Sequence, residues 1–303
     1  MLEVADLGIK ALAYSSETVT QARKTGTKLH LDIAECKWNL VCVDPEHLTA
    51  KDWRLIKDSA IFRDNLSLLC VDEIHLINQW GVEFRQAFEH IGRFARGCLP
   101  ASTSIVGLSA TLQPGPDTLS VCTSMGFIAG NFIHVRRSNE RPNIQFILAK
   151  LTHGLGGDEF PDLLPYVTSN RKTVIYCSTI DMCWRVAVYL WRLLPPCTDK
   201  TARVRLYHAL CWSEENEETT RLLREDPRTQ IVIATIAFGQ GINVKTLVDS
   251  IQLGFPVSLD QEEQQRGRVG RDLTTPARGI ILVQPSSIVA AEKYLKCKLP
   301  AGF

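Results

Sequence analysis

The strongest constraint on this chain is a set of short apolar runs that do not alternate with polar residues. LVCV (40–43), LSLLCV (66–71), SIVGLSA (104–110), TVIYC (173–177), VRLYH (204–208), QIVIAT (230–235), DSIQLGF (249–255) and RGIILVQ (278–284) are the clearest. A strand covered on one face alternates polar and apolar residues. A strand covered on both faces does not, which is the mark of a parallel sheet between helical layers. Amphipathic stretches of helical spacing, such as 181–194 (DMCWRVAVYLWRLL) and 213–224, lie between the runs. The alternation predicts α/β domains with parallel sheets.

At 303 residues the chain is long enough for two such domains. RPN at 141–143 and HGLGGDEFPD at 153–162 are rich in turn-formers and interrupt the pattern. They predict two lobes, 1–138 and 139–303. The first lobe shows fewer good strand runs than a full parallel nucleotide-binding lobe, which also carries a phosphate loop after its first strand. The expectation is a chain that starts partway into a domain.

Composition excludes some classes. With 45% apolar and 22% charged residues, the chain has the balance of a soluble globular protein. No apolar run reaches the roughly 18 residues of a membrane span. The N-terminus MLEVADLGIK lacks the basic region and apolar core of a signal peptide, so an intracellular protein is expected, nuclear or in a prokaryotic cytoplasm or nucleoid. The ten cysteines are scattered, with no CxxC pair. Free thiols are expected and a structural zinc is not. Cys70 and Cys177, inside apolar runs, read as small buried hydrophobes. A net charge of +1 does not by itself point to nucleic acid. Local clusters at Arg136/Arg137/Arg141 and Arg266/Arg268/Arg271 are still suited to phosphate.

The chemistry gathers at the ends of the runs. LLCVDEIHLINQWGVEFR (68–85) passes from an apolar strand directly to Asp72 and Glu73. Ligands of open parallel sheets bind at the carboxyl ends of strands. There the first acid is placed to hold Mg²⁺ and the second to orient and deprotonate a water. His75, two residues on, could relay the state of the site. Ser109-Ala110-Thr111 ends another run. Thr235 ends QIVIAT and precedes AFGQGIN, where Gly239 and Gly241 permit close backbone approach. In QQRGRVGRD (264–272), Arg268 and Arg271 each follow a glycine and would face one side of a helix or tight loop. An arginine so placed can stabilise charge on a transferring phosphoryl group.

Together these stretches resemble the RecQ family of DNA helicases. Asp72-Glu73-Ile74-His75 is similar to its motif II. Gln79-Trp80-Gly81, with Phe84-Arg85, is similar to its aromatic-rich loop. Ser109-Ala110-Thr111 is similar to motif III and Val43-Asp44-Pro45-Glu46 to the motif Ib region. Arg141-Pro142-Asn143 resembles the link into the second lobe. Tyr176-Cys177-Ser178 and Tyr207-His208-Ala209 match the motif IV region. Residues 234–242 resemble motif V, and QQRGRVGRD resembles motif VI. The resemblance implies two RecA-like α/β lobes with parallel sheets, the first incomplete here, with ATP between them and single-stranded or partly duplex DNA across them. It implies ATP-driven 3′→5′ translocation and strand separation. Asp72 would serve Mg²⁺, Glu73 the water and Arg271 the γ-phosphate, with Gln264, Arg268, Gly239 and Gly241 lining the nucleotide cleft. His75, Gln79, Trp80, Phe84, Arg85, Ser109, Thr111, Tyr207, His208 and Thr235 would contact DNA or couple it to hydrolysis. Aromatic faces such as Trp80 and Phe84 stack on bases without regard to sequence.

The resemblance also fails in places. No GxxxxGK[ST] loop occurs, and KTGTK at 24–28 has the wrong order. That loop's lysine and hydroxyl hold phosphates and Mg²⁺, so weak or no ATP hydrolysis is expected of this chain alone. Only Cys297 follows motif VI, too few for the family's zinc module. Gln240, Asn243, Gln252 and Gly254 depart from frequent family residues. An apolar face left by a missing strand would need covering, by a partner chain for example. A non-catalytic nucleic-acid-binding remnant and a truncated version of an active enzyme are the rival readings. An RNA helicase is weaker, because the QWGxxFR loop argues against it.

Overall fold

In a computed structural model, the apolar runs become parallel strands. The structure describes residues 7–79, 82–196, 198–239 and 242–298, without the side chains of 78–79, 82–89 and 294–298. The chain divides into two compact units, 1–137 and 138–303.

The second unit is built on a six-stranded sheet. Its strands are β5 (Ile144–Lys150), β6 (Thr173–Tyr176), β7 (Val204–Tyr207), β8 (Ile231–Ala234), β9 (Asp249–Leu253) and β10 (Ala277–Val283), in the order β5-β10-β9-β6-β8-β7. Every pairing is parallel. β6, β8 and β9 are buried at each position, as strands covered on both faces must be. Alternate residues serve two cores. Ile175, Ile233, Ile251 and Leu282 meet the helix Ile180–Leu193 through Cys183, Val186 and Leu190. Val174, Tyr176, Val232 and Ala234 meet Leu223, Phe238, Val244 and Val269 on the other face. β5 escaped the sequence reading because it is an edge strand with half its residues exposed.

Both faces are anchored at the amino ends of the strands by one ion cluster. Asp249 is fully buried. Arg171 holds it at 2.9 Å, and Arg278 donates to the same carboxylate. Buried charge is stable only when paired and hydrogen-bonded in this way.

The first unit departs from expectation. It contains β1 (Ala11–Tyr14), β2 (Leu40–Val43), β3 (Leu68–Val71) and β4 (Ser104–Gly107), one strand more than the clear apolar runs suggest. Among the described residues these form two separate parallel pairs, β1–β2 and β3–β4, rather than one sheet. Leu12, Tyr14, Val41, Val43 and Leu69 share a core with Trp53, Phe62 and Phe94. Among the described residues nothing covers the other face of the strands: Leu40, Leu68 and Val106 are 40%, 50% and 38% exposed. Cys70 belongs to that face and is exposed, contrary to its reading as a buried hydrophobe, whereas Cys177 is buried. Behind β3 and β4, Gly92 lets the helix Val82–Gly97 lie against Pro116–Met125. A Cβ there would fall 2.1 Å from the Ser124 carbonyl.

Candidate active site

In the first unit, two loops leave the carboxyl ends of neighbouring strands. Val71 pairs with Gly107, so Asp72-Glu73 and Ser109-Thr111 emerge side by side. The backbone stitches them together: Leu108 N donates to Val71 O at 2.8 Å, and Ile74 N to Leu108 O at 2.9 Å. Held between these bonds, Glu73 adopts φ +51°, left-handed backbone that a non-glycine residue rarely takes. Such conformations persist where the surroundings over-determine them, and they cluster at functional sites.

The side chains extend the link. Asp72 is exposed, and its Oδ1 accepts from Glu73 N at 2.9 Å. His75 is only 3% exposed and its Nδ1 lies 2.9 Å from Ser109 Oγ. Ser109 Oγ also accepts from the backbone N–H groups of Thr111 and Leu112. Glu73 Oε2 lies 3.2 Å from the same His75 nitrogen, within ion-pair distance, and is enclosed without a hydrogen-bond partner among the described residues. Thr111 is buried, and its hydroxyl has no partner among the described residues.

In the second unit, the site is again built at carboxyl strand ends. Thr235 follows β8, and its N–H donates to Tyr207 O at the end of β7. The short helix Ile236–Gly239 then inserts Phe238, fully buried, against the rings of Tyr207 and Tyr176 at 5.1 and 6.3 Å. The helix Leu259–Arg266 ends before the two motif arginines, so they lie on a tight loop. Arg268 donates to the carbonyls of Ile242 (3.1 Å) and Gly239. Arg271 donates to Asn243 Oδ1. The two arginines thus reach Gly239, Ile242 and Asn243. Between them Gly270 takes φ +57°, and its carbonyl accepts from Arg141 and from Asn143 Nδ2, the latter at 2.8 Å. Asn143 Nδ2 also reaches the carbonyls of Asp272 and Thr275. RPN therefore clamps the loop that carries Arg271, a role its turn-forming composition did not reveal.

Below the arginines the Tyr176 hydroxyl is buried without a partner among the described residues. Burial pushes it up from the ordinary phenol range, with Arg268 and Arg271 pulling the other way. His208 is 3% exposed and 3.4 Å from the Cys211 thiol. Burial holds its imidazole below the ordinary value. His75 and His208 are thus both buried rather than open to the surface. Gln264 is partly buried in the helix Leu259–Arg266. Trp80 and Gly241 lie outside the described residues, as do the side chains of Gln79, Phe84 and Arg85.

A model of DEAD/DEAH box helicases matches residues 5–119, and one of the helicase conserved C-terminal domain matches 158–272. The chain is 27% identical over 288 residues to the ATP-dependent DNA helicase RecQ of Pasteurella multocida (strain Pm70), covering 93% of this chain and 40% of that protein. It is 29% identical over 260 residues to the bifunctional 3'-5' exonuclease/ATP-dependent helicase WRN of Mus musculus, covering 80% of this chain and 16% of that one. The chain thus spans well under half the length of these relatives. The structure of the DUF1998 helicase MrfA bound to DNA and AMPPNP superposes with a TM-score of 0.68 at 17% identity, over 98% of this chain and 46% of that one. At that identity the likeness shows the fold, a parallel-sheet helicase fold of RecA-like type. The chain is thus similar over most of its length to DEAD/DEAH box helicases, and among them to RecQ helicases.

Proposed function

We propose that this chain is the ATP-driven core of a RecQ-type DNA helicase, coupling hydrolysis to 3′→5′ movement on single-stranded DNA and to strand separation. The observation that carries the reading is the carboxyl edge of β3 and β4. There a left-handed Glu73, its side chain 40% exposed, sets its carboxylate 3.2 Å from His75, which the Ser109 hydroxyl ties to the neighbouring loop. An acceptor so placed takes the proton of an attacking water. Asp72 is the residue suited to Mg²⁺: an exposed carboxylate fits an ion that keeps most of its waters and needs one or two protein oxygens. Bound there, the ion would neutralise phosphate charge. Arg271 supplies further positive charge for the terminal phosphoryl group, and Arg268 braces the carbonyls of Gly239 and Ile242. The His75–Ser109 bond is the path by which the site senses the neighbouring loop. Gln79, Trp80, Phe84 and Arg85 are assigned to DNA by their likeness to the family's aromatic-rich loop.

No GxxxxGK[ST] loop occurs in the 303 residues, so turnover by this stretch alone is proposed to be slow. The same observation favours a second reading, a non-catalytic nucleic-acid-binding remnant. A duplex with a single-stranded tail separates the two. The helicase reading expects ATP-dependent displacement from a 3′-tailed duplex and none from a 5′-tailed one, lost in Glu73→Gln. Tight binding to both without displacement supports the remnant.

A further inference from the structure

At the amino ends of its strands the second unit holds more positive charge than its fold requires. Asp249 is the first residue of β9 and is fully buried. Arg171 grips its carboxylate with Nε and Nη2, at 2.9 Å each, and Nη2 also donates to the Pro276 carbonyl. Arg278 grips the same carboxylate with its own Nε and Nη2, and its guanidinium lies over the Tyr166 ring at 5.7 Å. One guanidinium is enough to neutralise one carboxylate. The second leaves the cluster with a unit of positive charge, and among the described residues no other acid pairs with either arginine. In both arginines Nη1 makes no hydrogen bond among the described residues. Both side chains line an open cavity of about 460 Å³, together with Asn143, Gln145 and Thr274. Gln145 stands opposite Arg278 in the register of β5 and β10, so the two side chains share a face of the sheet. Gln145 is exposed, and its amide has no hydrogen bond among the described residues.

We infer that this cavity binds a phosphate group, held by Nη1 of Arg171 and Nη1 of Arg278 with the Gln145 amide as a neutral donor. The guanidinium is a permanently charged, planar donor that suits phosphoryl oxygens. Two of them, already locked onto Asp249, need little reordering when the anion arrives, which lowers the cost of binding. The same ion cluster thus has two roles: its inner edge secures a buried carboxylate and its outer edge faces the cavity. A small phosphomonoester and the backbone of a nucleic acid strand both present such a group, and the test separates them. The inference is independent of the proposed function, because neither arginine belongs to the loops assigned to the nucleotide.

The test is NMR of the full chain, reading the side-chain Nε–H signals of Arg171 and Arg278, which their bonds to Asp249 protect from exchange. Inorganic phosphate is titrated while chloride is adjusted to hold ionic strength constant. Saturable shifts are expected, with a dissociation constant on the order of 1 mM for a few charge-assisted contacts. Arg278→Met leaves Asp249 paired with Arg171 and removes the surplus charge, so binding should weaken roughly tenfold or more. Arg278→Lys restores the charge without the fork and should recover part of the affinity. A purely structural role predicts shifts that grow linearly without saturating, or an affinity indifferent to Arg278→Met, and either result overturns the inference. The wild-type titration decides the first point even where a variant fails to fold. Glycerol 3-phosphate and an oligothymidylate without terminal phosphates then identify the source. Saturation of the two signals by glycerol 3-phosphate alone supports a small phosphomonoester. Displacement of phosphate from them by the oligothymidylate supports a nucleic acid backbone. Saturation by inorganic phosphate but by neither of these marks an adventitious ion only, and overturns the inference.

Discussion

Gly270→Ala is the most demanding substitution this architecture defines. Gly270 has φ +57°, and an L-residue forced into left-handed backbone costs about 1–2 kcal/mol. A Cβ there would also sit 2.6 Å from Ala277 Cβ and 2.8 Å from Asn143 Nδ2. Neither neighbour yields easily. Ala277 is buried and begins β10, paired with Ile144 of β5, and Asn143 spans three carbonyls of the same loop. Overpacking of this kind costs roughly 1–3 kcal/mol. The stiffer unfolded chain returns about 0.4–1 kcal/mol. The net loss is then about 2–4 kcal/mol, on the order of 10 °C in Tm for a unit of this size. Gly239→Ala is the internal control, since a Cβ there meets nothing within 4 Å. Native-state hydrogen exchange at the amides of Ala277–Val283 reads the second unit alone and should show the loss in Gly270→Ala only. Equal protection in the two variants, within about 0.5 kcal/mol, would refute the reasoning.

Asp249→Ala should destabilise the second unit by about 3 kcal/mol in urea unfolding, the low end for a broken buried pair. The low end applies because Arg171 and Arg278 are 33% and 24% exposed and can rehydrate. A loss below about 1 kcal/mol would mean the cluster is not structural. Ser109→Ala removes the acceptor of two backbone N–H groups and the partner of His75. It should cost about 1–3 kcal/mol and speed amide exchange at Thr111 and Leu112; unchanged exchange there would argue against the link. Burial depresses His208 below its ordinary value of 6.5, so the unfolded chain takes the proton first. Stability is therefore intact above that value and falls as pH drops through it, and His208→Asn should flatten the slope between about pH 7 and 5. An unchanged slope would place the titration elsewhere.

Much of the second unit is legible in the sequence because its strands are buried on both faces. TVIY, IVIA and DSIQL needed no alternation to be found, and the loops after them carry their chemistry in glycine, threonine and arginine. β5 and β1 were missed for the opposite reason. IQFILAK is half exposed at an edge, and ALAY is short and rich in small residues. The splitting of the first unit into two strand pairs has no local signature, since pairing depends on what lies between strands rather than on the strands themselves. The same limit applies to the site. Asp72 and Glu73 stand out as acids after an apolar run, but nothing in the sequence shows that Glu73 is left-handed or that Ser109 engages His75. Asn143 and Asn243 are short polar residues in turn-rich stretches, and their grip on the Arg271 loop emerges only when residues 127 or 28 positions apart meet.

The most direct test of the central claim is ATP hydrolysis by this chain with and without single-stranded DNA, comparing wild type with Glu73→Gln. The account expects slow turnover, raised by single-stranded DNA and abolished by Glu73→Gln. Turnover indifferent to Glu73→Gln, or none from a folded sample that binds DNA, would contradict it and leave the carboxylates of β3 as the outline of a motor that does not run.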